Sequence, residues 1–413
     1  MWHIILSKAS MALITKFKIW KKVSKPGYKW INVNHVFTTV YILALCFTIS
    51  LIYVSTLHTI KPKFKLNNYI QQYHNSNIPI FESYIIQQPA SLIASHSTTF
   101  EVLANGNLLA FWFAGSHEGK PDVKIWSSRF RYNRWTDANK VVAPQMLSSQ
   151  LSQYVRKVGN PVVYKASNGV LHLFVVSVGA IGGWSGSNIE HLQSADNGIT
   201  WKKAQKLILS PLLNISTLVR TRAIPLADSG FYLPVYHEMI YKYPELLRFD
   251  AEGNFMGKIR MTSQRDLLQP ALVPLTENFG YSFLRNKGNH DRVLYMQYTI
   301  NGGLSWSRPG ATNLFNRDSS IAVALLYSNR YESQQILMVH NPLDRGRLVL
   351  SISDDGVTFR DIAVLEDKPR MEYSYPSIQV HDGLIDILYT YERQKIKHVR
   401  FNQAWLDGQG IYK

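Results

Sequence analysis

One eight-residue turn recurs along this chain, and its recurrence restricts the fold more than any other feature. The clearest copy is Ser194-Ala195-Asp196-Asn197-Gly198-Ile199-Thr200-Trp201, of the form S-x-D-x-G-x-T-W. Asp196 is suited to accept hydrogen bonds from main-chain N–H groups two residues on, and Gly198 to take a positive φ without a Cβ clash. Ser194 and Thr200 can tie the two arms of a hairpin, and Trp201 gives the turn a large apolar anchor. Thr299-Ile300-Asn301-Gly302-Gly303-Leu304-Ser305-Trp306 repeats the pattern with conservative swaps. Ile352-Ser353-Asp354-Asp355-Gly356-Val357-Thr358-Phe359 repeats all but its first position. Trp135 closes a degenerate copy, and another falls near Asp250–Phe255, so successive closing aromatics lie 66, 54, 51 and 53 residues apart. A four-stranded antiparallel blade needs on the order of 40–50 residues, so each period corresponds to one blade of a propeller. A string of β-sandwiches is the alternative, but it gives no reason for one turn to return at a near-constant interval. The expected fold class is all-β, a six-bladed β-propeller beginning at about Phe81.

Short hairpins support this reading. Leu103–Phe113, Val163–Phe174 and Ile378–Tyr389 each place an Asn-Gly or Asp-Gly pair between two apolar strands. No amphipathic helix of convincing length is expected after residue 60.

The N-terminal part has a different character. Formal net charge is +17, but Lys8, Lys16, Lys18, Lys21, Lys22, Lys25, Lys29, Lys61, Lys63 and Lys65 supply ten of those charges, and no acidic residue precedes Glu82. The basic excess therefore brackets one segment and does not point to nucleic acid as a partner. That segment, Val36 to Val54, is nineteen residues without a charge. Nineteen helical residues span about 28 Å, close to the hydrocarbon thickness of a bilayer. The sequence thus predicts a basic cytosolic tail (1–35), a transmembrane anchor with the lipid bilayer as partner (36–60), a polar stalk (61–80) and a propeller (81–413). The lysines put the N-terminus in the cytosol and the propeller in the periplasm or outside the cell. A cleaved signal peptide is the rival reading. The only cysteine, Cys46, lies inside the apolar run, so the propeller has no thiol for catalysis or zinc binding.

The S-x-D-x-G-x-T-W turn is the Asp-box of sialidases, and the chain resembles the bacterial "predicted neuraminidase" group of the sialidase-like (BNR-repeat) superfamily. The resemblance rests also on Gly115-Ser116-His117-Glu118-Gly119-Lys120-Pro121-Asp122-Val123-Lys124-Ile125-Trp126, on Gly159-Asn160-Pro161-Val162 and on Glu372-Tyr373-Ser374-Tyr375-Pro376. It implies an active site at the central mouth, no cofactor and no metal. It also implies an acidic carbohydrate as partner, bound by arginines and attacked by a tyrosine with carboxylate help. Arginine forks match a carboxylate, and a neutral phenol attacks beside that carboxylate without charge repulsion.

Carried over position by position, the resemblance makes Tyr375 or Tyr373 the nucleophile, with Glu372 beside them. Glu238 becomes the tyrosine's carboxylate partner, and Glu118 the acid/base, with Asp122 second. Arg345 fits one carboxylate-binding arginine, and Arg248, Arg222 and Arg285 compete for the others. Where the superfamily carries its first arginine, in an F-R-I-P string, this chain has His96-Ser97-Thr98-Thr99, which makes His96 a further substrate-binding candidate; Arg222-Ala223-Ile224-Pro225 is similar but lies mid-chain. Trp184, in a Gly/Ser loop, is a candidate platform for a sugar face and equally a loop anchor. The expected function is a membrane-anchored exo-sialidase-like glycoside hydrolase of the bacterial inner membrane. A catalytically silent glycan-binding propeller and a lyase acting on uronic-acid polysaccharide are the alternatives. The plain readings are strand tyrosines, which β-structure favours anyway, and solvated charges.

Overall fold

The computed structural model describes residues 33–57, 61–66, 78–211, 214–288, 291–328 and 333–409. Most of the basic tail and residues 67–77 of the expected stalk lie outside this set. The chain divides into two units, Met1–Ile60 and Lys61–Lys413. In the first, Val33–Leu57 forms a 25-residue helix, whose side chains are described from Phe37 to Ser50 and are exposed. Among the described residues no helix is long and apolar enough to cross a membrane.

The second unit is a ring of six antiparallel sheets. Its innermost strands are Ala94–Val102, Lys157–Lys165, Thr217–Val219, Leu267–Pro274, Ala322–Ser328 and Tyr373–His381. From each the chain meanders outward, as the hairpin signals require. Second strands such as Leu108–Gly115 and Leu171–Val178 are buried along their whole length, because both faces are covered by neighbouring blades. Outer strands such as Phe255–Arg260 alternate between exposed and partly buried residues. In the sixth blade the outermost strand is Phe81–Ile85, which pairs with Lys397–Phe401 and so closes the ring with residues from both ends of the unit. There Asp386, fully buried, accepts hydrogen bonds from His381, His398 and Arg400 at 2.6–3.0 Å. Its carboxyl is held far below the usual range: burial would raise it, and the two histidines and the arginine outweigh that.

The boxes lie between the third and fourth strands of blades two, four and five, and each docks on the preceding blade. Asp196 accepts from the Ile199 and Thr200 N–H groups and from the Thr200 hydroxyl at 2.6–3.1 Å, while Ser194 Oγ accepts from Gly198 N–H at 2.8 Å. A Cβ on Gly198 would stand 2.7 Å from Leu109 of blade one, and Trp201 meets Phe111 edge-on at 5.7 Å. Gly303 and Trp306 dock in the same way against blade three, and Gly356 and Phe359 against Tyr281 and Phe283 of blade four. The third copy departs from the sequence alignment by one residue. Ser353 and Asp355 make the box contacts with Gly356, Val357 and Thr358, whereas Asp354 binds Gln335. The degenerate turn at Asp250–Phe255 is also real: Asp250 accepts from the Glu252 and Asn254 N–H groups.

One short helix, Pro144–Leu151, connects blades one and two. Residues 61–66 lie on the propeller face where the boxes are. Phe64 is buried there against Leu226, Tyr232 and Leu272, with Phe64 N–H on Glu277 O at 2.7 Å and Lys65 N–H on Pro225 O at 2.9 Å.

Candidate active site

The innermost strands enter the ring at the face opposite the boxes, and four of them break register there. The breaks fall between His96 and Thr99, Gly159 and Val162, Leu268 and Ala271, and Ser374 and Ser377. At each, one non-glycine residue takes a positive φ: Ser97 (55°), Asn160 (38°), Gln269 (47°) and Tyr375 (52°). Pro161, Pro270 and Pro376 follow three of them. A proline lacks the N–H that a ladder would use, so a bulge accommodates it. Bulges re-aim side chains, and positive φ at such residues concentrates at functional sites.

Tyr375 is the centre of the resulting group. The guanidinium carbons of Arg220 and Arg345 lie 5.4 and 5.3 Å from its ring centroid, and His96 meets it edge-on at 5.8 Å. Arg220 is buried and donates to Pro376 O at 2.7 Å and Thr98 O at 3.3 Å, joining the bulges of blades six and one. Arg285, also buried, pairs with Asp318 at 2.7 Å. Arg345 donates to Glu372 at 2.9 Å and to Asp318 O at 3.2 Å. Burial pulls Arg220 down to about 10, so it remains charged at neutral pH. Burial also opposes charge on Arg285, but Tyr375, Asp318 and Tyr236 outweigh it and raise that group. The Tyr236 hydroxyl accepts from Asn160 and Gln269, each at 3.2 Å. Burial, reinforced by the charge of Glu238, pushes the Tyr236 hydroxyl well above the usual tyrosine range. Burial brings His96 down to about 4, so its imidazole is neutral.

Several expected residues join this group. Glu372 lies at its edge, held by Arg345 and by Arg393 at 2.9 Å. Arg393 continues to Glu118 at 3.1 Å. Asp122 accepts from the Ser116 N–H and hydroxyl at 2.7 and 2.8 Å, so it braces the loop that carries Glu118. Glu238 ends its strand with its charge felt at Tyr236, and its carbonyl accepts from Ser185 Oγ at 2.7 Å. Trp184 packs under Gly159, where a Cβ would stand 2.7 Å from the ring, and Lys157 Nζ covers it at 4.0 Å.

Others are placed elsewhere. In a regular strand Tyr373 and Tyr375 would share one face, but the bulge separates them. Tyr373 is buried in the apolar core between blades five and six, with its hydroxyl pushed up to about 12, chiefly by burial. Arg248 pairs with Asp228 on the third strand of blade three. Arg222 pairs with Glu101 at 3.2 Å, near the far end of the channel. Arg220, Tyr236, Gln269 and Asp318 were not expected at the mouth. The signal for two of the mouth positions is the recurring x-Pro at the head of an innermost strand: Asn160-Pro161 and Gln269-Pro270 match Tyr375-Pro376. Among the described residues no cluster of His, Cys, Asp and Glu could hold a metal ion.

A family model described as a BNR repeat-like domain matches residues 106–387. The chain belongs to this family, within the sialidase-like BNR-repeat superfamily. No curated protein sequence matches it. Among solved structures it is similar to the Hadza microbial sialidase Hz136, with a TM-score of 0.65 and 13% identity over 76% of this chain and 66% of that one. It is likewise similar to Trypanosoma rangeli sialidase, with a TM-score of 0.64 and 15% identity over 80% and 61%. A Dyadobacter fermentans protein of unknown function aligns at 0.62 and 12% identity, over 79% of this chain and 100% of that chain. The chain therefore spans less than two thirds of the length of these sialidases, and identities this low establish the shared propeller fold alone.

Proposed function

We propose that the propeller is an exo-acting, sialidase-like glycoside hydrolase for a terminal acidic sugar. The observation that carries this reading is the set of three guanidinium groups, Arg220, Arg285 and Arg345, gathered around Tyr375. Like charges this close repel, and a substrate carboxylate relieves that repulsion while accepting forked hydrogen bonds. In this reading the carboxylate fixes the sugar with its anomeric carbon over Tyr375. The Tyr375 oxygen bonds to that carbon as the glycosidic bond breaks, its proton passing by way of Tyr236 to Glu238 while Glu118 protonates the leaving oxygen. Water, deprotonated by Glu118, then releases the sugar, and Tyr375 regains its proton. Trypanosoma rangeli sialidase, a structural neighbour, has been captured with 2,3-difluorosialic acid as a covalent intermediate.

The test is turnover of a fluorogenic sialoside by the wild-type chain and by Tyr375→Phe. Release by the wild type that falls on the order of a thousandfold in the variant supports the reading, and equal release by both overturns it. A second reading, elimination on a uronic-acid polysaccharide, is favoured by neutral His96 against the Tyr375 ring. It predicts an ultraviolet-absorbing unsaturated product where the sialoside stays intact. Silence in both assays with retained glycan binding leaves a binding propeller.

The reading includes anchorage by the charge-free run Val36–Val54, with the N-terminus cytosolic and the propeller in the periplasm or outside the cell, in a bacterial inner membrane. It is supported by the absence of charge over these nineteen residues and by the lysines that precede the run. Extraction of membranes with alkaline carbonate tests it, and recovery of the uncleaved chain in the soluble fraction rejects it.

A further inference from the structure

The R-A-I-P string does not serve the mouth, and its actual position calls for an account. Arg222 lines a cavity of about 210 Å³ at the far end of the ring, where the innermost strands finish, together with Lys165, Lys65, Tyr164 and Gln379. A water needs about 10–15 Å³ of such volume, so the cavity has room for a molecule of many atoms. Its charge is unbalanced. The carboxylate that serves it, Glu101, is buried and already committed, with Oε1 facing Arg222 at 3.2 Å and Oε2 accepting the Lys165 N–H at 3.3 Å. Among the described residues neither the Lys165 nor the Lys65 ammonium has a carboxylate partner. Three cations from separate parts of the chain thus line one cavity against a single acid: Lys65 from the segment pinned by Phe64, Lys165 from blade two and Arg222 from blade three. Like charges in a partly enclosed space raise one another's energy unless an anion joins them.

We propose that this far-end cavity is a second ligand site, separate from the mouth, for a small molecule bearing a carboxylate or phosphate group. The anion bridges Lys165 and Lys65 and takes the free N–H groups of Arg222, while the Glu101 pair holds that guanidinium in place. The proposal does not depend on the chemistry at the mouth.

Calorimetric titration of the full chain with inorganic phosphate, and separately with glucuronate, tests it in potassium chloride of matched ionic strength. The expected result is saturable binding of at least one probe, within twofold of wild type in Arg345→Ala and weakened tenfold or more in Lys165→Met and in Lys65→Met. Both lysines reach solvent and neither holds a buried partner, so these variants should keep the wild-type melting temperature. Binding of phosphate alone assigns the phosphate class, and binding of glucuronate alone the carboxylate class. Absence of saturable binding for both probes overturns the proposal. So does binding that is lost in Arg345→Ala and kept in both lysine variants.

Discussion

At the rim, Asp196 binds groups no more than four residues away, and the same contacts return at Asn301 and Asp355. At the mouth, Arg220 holds carbonyls 122 and 156 residues distant, and the four bulges carry Ser, Asn, Gln and Tyr. Both regions are made by the same six blades. The rim repeats because each box solves one local problem, closing a hairpin and pressing it on the blade before. The mouth does not repeat because each blade delivers one different group to a shared centre. A mutation at the rim should therefore register in stability and one at the mouth in chemistry.

The largest effect is expected at the mouth. Tyr375→Phe removes one oxygen, and Arg345→Ala removes one of the three guanidinium groups. Turnover of an acidic glycoside should fall roughly a thousandfold in the first and roughly a hundredfold or more in the second. Urea midpoints should stay close to wild type in Tyr375→Phe; a parallel collapse in stability would erase the contrast. The next effect lies away from the mouth, where the ring is closed. Asp386→Ala strips the shared acceptor from His381, His398 and Arg400 and leaves a buried cation unpaired, at a cost of about 3–5 kcal/mol in urea unfolding. A loss under 1 kcal/mol would mean that closure does not depend on this cluster. Smaller again is Asp196→Ala, which should lower the urea midpoint modestly and leave kcat unchanged, since the box touches no mouth residue. A tenfold fall in kcat with unchanged stability would break the division from the rim side.

The last effect shows only in acid. Burial holds His96 at the mouth down to about 4, and His172, stacked on His191 in blade two, also to about 4. Unfolding returns these rings to the ordinary histidine range near 6.5. Their contribution is therefore complete above about pH 6.5 and is lost as the pH falls towards 4, because the unfolded chain takes up the protons first. His96→Gln and His172→Gln should each flatten the slope of stability against pH in that window. An unchanged slope in both would contradict their burial as neutral rings.

The propeller was legible because its evidence is local and repeated: the box residues, the hairpin glycines and their spacing lie within a few residues of one another. The one misalignment, Asp354 for Asp355, arose where two aspartates stand side by side and only the fold decides which carboxylate faces the N–H groups. The mouth was legible in part. All the candidates were named by resemblance: Tyr375, Arg345, Arg285, Glu372 and Glu118 lie at or beside the mouth, while Tyr373, Arg222 and Arg248 lie elsewhere. Tyr373 stands two residues from Tyr375 and would share its face in a regular strand; the bulge between Ser374 and Ser377 turns it into the core instead. Arg220 went unseen because its neighbours, Thr98 and Pro376, come from strands far away in the chain. Position in the ring, rather than the F-R-I-P string, brings that arginine to Tyr375.

The central claim is that Arg220, Arg285 and Arg345 form a carboxylate site over Tyr375. A crystal structure of the chain soaked with N-acetylneuraminate tests it most directly. The account predicts the sugar carboxylate among these three guanidinium groups, with the anomeric carbon facing the Tyr375 hydroxyl. A carboxylate seated elsewhere, at Lys165 and Arg222 for example, with the mouth unoccupied, would contradict it.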